Sequence, residues 1–192
     1  MQGESSSVGA GREAYMAEVF LRRLSRWQAE QQRASVANLY VEAYRGMAGA
    51  EYRDRQGFLR RFERDVQQPD FDMVVADSGG LVGCLYGHRA APTGEWWEGF
   101  RGILPAGIEE QTASGRVFLL SELMVAPAHR GTGVATRLRT LLLTRHAADA
   151  VVAVIKRDDD QGREVLRAWD WTKLGEFDPG REGWLRPPSP LP

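Results

Sequence analysis

One stretch constrains the fold of this chain more than any other: LLSELMVAPAHRGTGVATRLRTLLL, residues 119–143. It continues an apolar run, Arg116 to Val125, that has the length of a buried strand. Pro127 closes that run, because proline has no N–H for a sheet ladder. Gly131 and Gly133 supply a turn, and from Val134 to about Ala147 the residues Ala135, Leu138, Leu141 and Leu142 recur at helical spacing. A strand that feeds a helix in this way needs further strands beside it and a sheet face for the helix to cover. The turn also has chemical potential. Glycines let backbone N–H groups approach a ligand closely. At a helix N-terminus those groups lack partners and sit at the positive end of the dipole, which suits phosphate. Arg130 adds a charge and Thr132 a hydroxyl. The bland alternative is a strand-to-helix turn whose glycines serve geometry alone.

The rest of the chain supplies the partners. Residues 1–12 are small and polar and read as a tail. Tyr15, Val19, Phe20, Leu24 and Trp27 predict an amphipathic helix over 13–33. A second helix is predicted from Ser35 to Gly46, with Val36, Leu39, Tyr40 and Ala43 on one face. A third runs from Arg55 to Gln67 around Phe58, Leu59, Phe62 and Val66. Phe71 to Asp77 and Leu81 to His88 read as strands joined by the turn Ser78-Gly79-Gly80, a β-hairpin. Residues 89–115 mix Pro and Gly with Trp96, Trp97 and Phe100, and a connection this long is functional or partly structured. Ala150 to Ile155 is another buried strand, Gln161 to Leu174 a helix stopped by Gly175, and Gly183 to Arg186 a last strand. The end, 187–192, is Pro-rich and reads as a second tail, which leaves one domain over 13–186.

Composition narrows the function classes. The 192 residues carry 25 basic and 26 acidic side chains, net −1, so no overall charge argues for nucleic acid or an anionic membrane. Cys84 is the sole cysteine, which excludes an internal disulfide and a multi-thiolate metal site. His88, His129 and His146 have no metal-ligand spacing. The start, MQGESSSVGAGRE, lacks the apolar core of a signal peptide, and Arg145, His146 and Asp149 interrupt the longest apolar region. A soluble cytoplasmic protein is the resulting expectation. The basic residues are 23 Arg against Lys156 and Lys173, a bias that points to a GC-rich bacterial genome.

Arg130, Gly133 and Ala135 form the pattern Arg-x-x-Gly-x-Ala, with Val125-x-Pro127 just before it. This resembles the acyl-CoA pyrophosphate loop of the GNAT N-acetyltransferase superfamily. The order of elements is similar too, as is the Leu174-Gly175-Glu176-Phe177 end of the last helical region. A Rossmann site fits worse: Thr136 stands where its last glycine belongs, and the next strand carries no acidic residue at its end. The resemblance implies an α/β (α+β) fold, with helices flanking a mixed sheet whose central strands splay apart. It also implies acetyl-CoA as co-substrate and a primary amine as acceptor, either a small molecule or a peptide. Leu123, Met124 and Val125 would pair with the pantetheine arm. The backbone of Arg130, Gly131, Thr132, Gly133, Val134 and Ala135 would hold the pyrophosphate. Homodimers are common in the family and are carried over as an option.

Direct attack on a thioester requires a neutral amine, hence a base, and a proton or charge stabilisation for the leaving thiolate. Glu122, a carboxylate inside an apolar strand, is the candidate base; the alternatives are an arginine partner or a solvent-facing edge. The family's usual acid is a tyrosine four residues before the glycine of the last motif, and here that position is Trp171. An indole cannot act as an acid, so either another group (Ser121, Asp170 or a nearby Tyr) or bulk water protonates the thiolate. The departure leaves a second reading open, a catalytically weak acyl-CoA binder. A different acyl group is a third. Gly94 to Phe100 places Trp96 and Trp97 between Glu95 and Glu98, either an aromatic, acidic wall for a cationic amine or a short helix packed through one Trp. By segment the charge is uneven: 71–128 is net −4 and 129–157 is net +5, so the positive block coincides with the proposed CoA loop.

Overall fold

A computed structural model describes residues 18–45 and 52–187, and the side chains of 52–54 are not described. The expected tail at 1–12, Tyr15, Gly46 and 188–192 lie outside the described residues.

The first correction comes at once. Phe20–Leu24 is a strand, β1, and not part of a helix. Its exposure alternates along the chain and Leu24 is buried, the period of a strand with one covered face. Ser25 then starts α1 (Arg26–Gln31) with a reciprocal cap: its hydroxyl accepts from Gln28 N at 3.2 Å and its own N–H donates to Gln28 Oε1 at 2.8 Å. Trp27, expected on the apolar stripe, is 67% exposed. α2 (Arg33–Ala43) buries Val36, Ala37, Leu39 and Ala43, and α3 (Tyr52–Val66) buries Phe58, Phe62 and Val66. β2 (Asp72–Asp77) and β3 (Leu81–Arg89) form the expected hairpin.

The long connection is partly structured. A tight helical turn at Glu95–Trp97 leads into a two-residue strand, β4 (Phe100–Arg101), and then α4 (Ile108–Ala113). β5 (Val117–Val125) and α5 (Val134–Leu143) follow, the latter ending in a further tight turn at Thr144–His146. β6 (Ala150–Lys156) precedes α6 (Asp160–Ala168), β7 (Thr172–Phe177) and β8 (Arg181–Leu185). Here lies a second correction. The helix expected to reach Leu174 ends at Ala168, and Gly175 sits inside β7. That glycine is required by contact, since a Cβ there would lie 2.8 Å from the ring of Phe100.

The eight strands form one sheet in the order β1-β2-β3-β5-β6-β8-β7-β4. Every neighbouring pair is antiparallel except β5 and β6. Helices cover both faces. Gly83 of β3 lies under Val134 and Leu138 of α5, while Tyr86, an odd number of residues on, meets Phe62 of α3 at a ring distance of 5.3 Å. Each of the buried Phe side chains removes enough apolar surface to contribute about 1.5–3 kcal/mol.

Two irregularities set up the site. β5 and β6 pair only over Val117–Leu120 and Ala150–Ala153. Beyond that point β5 continues with β3 and β6 with β8, so the two central strands part. The second is a bulge: Tyr86 faces Glu122 and Gly87 faces Leu120, leaving Ser121 as an extra residue in β5. Gly87 admits it, because a Cβ there would stand 2.1 Å from the Leu119 carbonyl oxygen.

Candidate active site

The bulge places Glu122 on the same face as Leu119 and Tyr86, beneath α2 and α3. A cavity of about 540 Å³ opens there, and Glu122, Ser121, Leu120 and Val152 line it at the parting of β5 and β6. Glu122 keeps some accessible surface while its carboxyl is surrounded by protein atoms, as expected of a group at the floor of an open pocket. Tyr44, at the C-terminus of α2, donates a hydrogen bond to Glu122 Oε1 at 2.7 Å. Among the described residues no hydrogen bond is made to Oε2, and no arginine forms an ion pair with the carboxylate. Burial raises the Glu122 pKa, and Asp159 and Asp65 add to the rise. The Tyr44 hydrogen bond and the Arg61 charge oppose it, and the balance stands at about 7. Such a group exchanges a proton readily near neutral pH.

The pocket wall is assembled from distant segments. Trp96 lines it and anchors itself by donating from its indole to Thr112 Oγ1 at 3.0 Å. Trp97 is not among the lining residues; it packs edge-on against Trp96 with ring centres 5.3 Å apart. The sequence pairing of the two therefore separates, one facing the cavity and one supporting it. Glu95 and Glu98 stand at the rim, joined by Asp178, whose carboxylate takes Arg101 at 2.7 Å. From α3 come Arg61 and Asp65, and from β3 His88. Burial raises the Asp65 carboxyl, against the nearby Arg64 and Arg61 guanidinium groups and a hydrogen bond from Ser121.

The glycine loop lies at the far end of β5. α5 starts with no side-chain cap, so the N–H groups of its first turn remain free for a ligand. Gly131 and Gly133 have φ of 71° and 84°, and a Cβ on either would meet nothing within 4 Å. Glycine is required here by backbone conformation, and the space above the loop is open. Val134 is buried, so it can contribute only backbone, and Thr132 turns its hydroxyl back to the His129 carbonyl at 2.6 Å. The Arg130 guanidinium also turns inward, donating to the Val125 carbonyl at 3.2 Å and to the Ala43 carbonyl. It fixes the loop to β5 and α2 and is not a free charge above it. Much of the positive block is likewise committed: Arg137 holds the Val19 carbonyl at 3.0 Å, Arg139 stacks over Trp169 at 5.0 Å, and Arg157 pairs with Glu176 at 2.6 Å.

Leu123, Met124 and Val125 occupy the stretch of β5 that pairs with β3 alone, so its opposite backbone edge faces the gap. Trp171 is 5% exposed and packs against Trp169 at 5.9 Å, a core aromatic with no acidic proton to offer. Tyr44, Arg61, Asp65 and Gly87 carry no functional mark in the sequence, because only the crossing of α2 and α3 over β3 and β5 brings them to Glu122. Among the described residues no cluster of His, Cys, Asp or Glu could hold a metal ion, and no helix is long and apolar enough to cross a membrane.

Known proteins share this architecture. A protein from Pyrococcus horikoshii superposes with a TM-score of 0.67 at 13% identity, covering 91% of this chain and 100% of its own. An acetyltransferase from Thermus thermophilus gives 0.63 at 13% identity, covering 90% and 98%. The PaiA N-acetyltransferase from Thermoplasma acidophilum, solved in complex with coenzyme A, gives 0.59 at 12% identity, covering 88% and 98%. At such identities the likeness shows the fold alone. No curated protein sequence matches. The profile of the acetyltransferase (GNAT) family, however, matches residues 33–165, more than half of the chain. The chain belongs to the acetyltransferase (GNAT) family.

Proposed function

We propose that the protein transfers an acetyl group from acetyl-CoA to a primary amine, with Glu122 as general base. The observation that carries this is the position of Glu122: at the parting of the central strands, in a pocket, with a pKa of about 7 and Oε2 unbonded among the described residues. Groups suited to the co-substrate lie further along the same strand and in the loop that follows it. An uncapped ten-residue helix start with two left-handed glycines suits a pyrophosphate, and the free edge of β5 at Leu123, Met124 and Val125 suits the amides of a pantetheine arm.

Glu122 removes the proton that the attacking nitrogen sheds as it bonds to the acetyl carbon. The acidic side chains Glu95, Glu98 and Asp65 of the pocket wall favour entry of the acceptor as its ammonium form, which gives one proton to solvent before the nitrogen attacks, and Trp96 offers a ring face to the same cation. Release of free thiol from acetyl-CoA, measured across small amines, polyamines and peptide N-termini, tests the proposal. Saturable release with one class supports it, and none with any class sinks it.

A substitution in the loop tests the co-substrate site separately. Gly133→Val forces a β-branched residue into left-handed backbone, at a cost of about 1–2 kcal/mol. The expected result is a KM for acetyl-CoA raised about tenfold, with kcat for the acceptor held within about twofold. A KM equal to that of the parent would remove the loop from the binding site.

The buried indole of Trp171 favours a second reading, an acyl-CoA binder with little turnover. Acetyl-CoA would then raise the unfolding temperature while no amine is acetylated. Transfer to any amine that Glu122→Gln abolishes argues against it.

A further inference from the structure

The departing CoA thiolate needs a proton or charge stabilisation, and Trp171 has no proton to give. We propose that Tyr44 is the proton donor to the departing sulfur, and that Glu122 afterwards restores its proton. The inference rests on the reading of the chain as an acetyltransferase with Glu122 as base.

The geometry that points to Tyr44 has two halves. On one side its hydroxyl donates to Glu122 Oε1 at 2.7 Å. On the other, the residue before it is tied to the proposed phosphate loop, because the Arg130 guanidinium donates to the Ala43 carbonyl while also holding Val125 at the end of β5. Ala43 and Tyr44 thus connect the arginine of the loop to the base, and an arm that runs from the loop to Glu122 passes this helix end. The Tyr44 backbone is fixed at the helix end by its N–H to the Tyr40 carbonyl at 3.1 Å, and its ring leans on Tyr40 at 4.9 Å. Asp159, in the turn after β6, acts electrostatically on both the phenol and the carboxyl.

The proton count closes. The amine nitrogen forms its bond to the acetyl carbon, the carbon–sulfur bond breaks, and its electron pair goes to sulfur. Glu122 takes the proton from nitrogen. Tyr44 gives its hydroxyl proton to sulfur, and Glu122 passes the proton it gained to the phenolate. The products are an amide and a free thiol, and the enzyme is unchanged. Burial, followed by the charge and hydrogen bond of Glu122, holds the resting Tyr44 phenol well above its ordinary pKa. Once Glu122 is neutral that charge is gone, and the phenol becomes more acidic at the moment the sulfur needs a proton.

The test must separate proton donation from simple support of Glu122. Facing the phenol are Tyr40 on α2, Glu122 on β5 and Asp159 after β6; facing the carboxyl are Arg61 and Asp65 on α3 and Cys84 and Tyr86 on β3. Tyr44→Phe should lower the high-pH plateau of kcat roughly 10- to 100-fold, with the KM for acetyl-CoA unchanged. Its acidic limb should also move to higher pH, because Glu122 loses a donor that lowers its pKa. That second shift is expected from support alone, so the plateau decides. Site-specific 3,5-difluorotyrosine at 44 keeps the ring and hydrogen bond and makes the phenol more acidic; the alkaline limb should move to lower pH. A Tyr44→Phe plateau equal to that of the parent, or an unmoved alkaline limb in the fluorinated protein, would overturn the assignment and leave the transferase reading intact. A parent protein that binds acetyl-CoA yet acetylates nothing would overturn both.

Discussion

Glu122→Gln should lower kcat by about 10²- to 10⁴-fold, the span that a general base supplies. Gln is nearly the same size and its carbonyl oxygen can still accept the Tyr44 hydrogen bond seen at 2.7 Å, so the local packing survives. Acetyl-CoA binding, followed by thermal shift, should stay within about twofold in Kd, because the uncapped α5 start and the β5 edge are untouched. The pH profile is the sharper readout. In the parent protein activity should fall as pH drops through about 7, where Glu122 picks up its proton. In the variant that limb disappears and only the titration of the acceptor amine remains. A variant that retains a third of the parent's kcat, or keeps a limb near 7, would show that another group takes the proton.

Asp72→Ala should produce the largest loss of stability, about 3–5 kcal/mol, as expected when one partner of a buried charge network is removed. Asp72 is buried and receives Arg23 of β1 and His146 Nε2 at 3.1 Å. Arg23 in turn donates to the Leu141 carbonyl at the end of α5, and His146 reaches Asp149 at 3.0 Å while stacking on Phe118 at 3.7 Å. One carboxylate therefore joins the edge strand, the hairpin and the end of α5. Its loss strands Arg23 and His146 in a largely closed site. For a chain of this length the unfolding midpoint should drop by roughly 6–20 °C. Burial would raise the Asp72 pKa, but the hydrogen bonds from His146 and Arg23 outweigh it and the net shift is downward from 3.8. A lowered carboxylate pKa stabilises the fold at pH values above 3.8, and that stability is lost as pH falls through the folded value. The parent protein should lose stability in acid over that window, and the variant should show a flatter acid limb. A midpoint within about 2 °C of the parent's would remove Asp72 as the tie, by the same scaling.

The segment 116–143 is legible because three local signals agree there: an apolar run, a proline and glycine stop, and a helical stripe. Its strand, its turn and its helix stand where those signals place them, and so does the β2–β3 hairpin. β1 escapes a reading by pattern because Val19, Phe20, Leu24 and Trp27 are spaced like a helical face, while pairing with β2 decides the conformation of Phe20–Leu24. β7 escapes it because its inward glycine, Gly175, looks like a helix stop until Phe100 is seen against it. Glu122 stands out as a charge within an apolar strand, and Trp96 as an aromatic beside carboxylates. Tyr44 carries no such mark. Its role depends on where α2 crosses β5, and no spacing along the chain encodes that crossing.

The extra residue in β5 bears on how any relative should be aligned to this chain. Counted by simple alternation from Phe118, Glu122 would share a phase with Leu120 and point toward α5, away from the pocket. Ser121 shifts the phase, and the carboxylate emerges with Leu119 and Tyr86 instead. A relative without the extra residue carries its base three positions after the equivalent of Phe118, so an alignment run from that end without a gap would seat Ser121 in the base's place and score the base as missing. Whether a distant relative owns this carboxylate is therefore a question of counting, to be settled by locating the glycine that accommodates the bulge before comparing side chains.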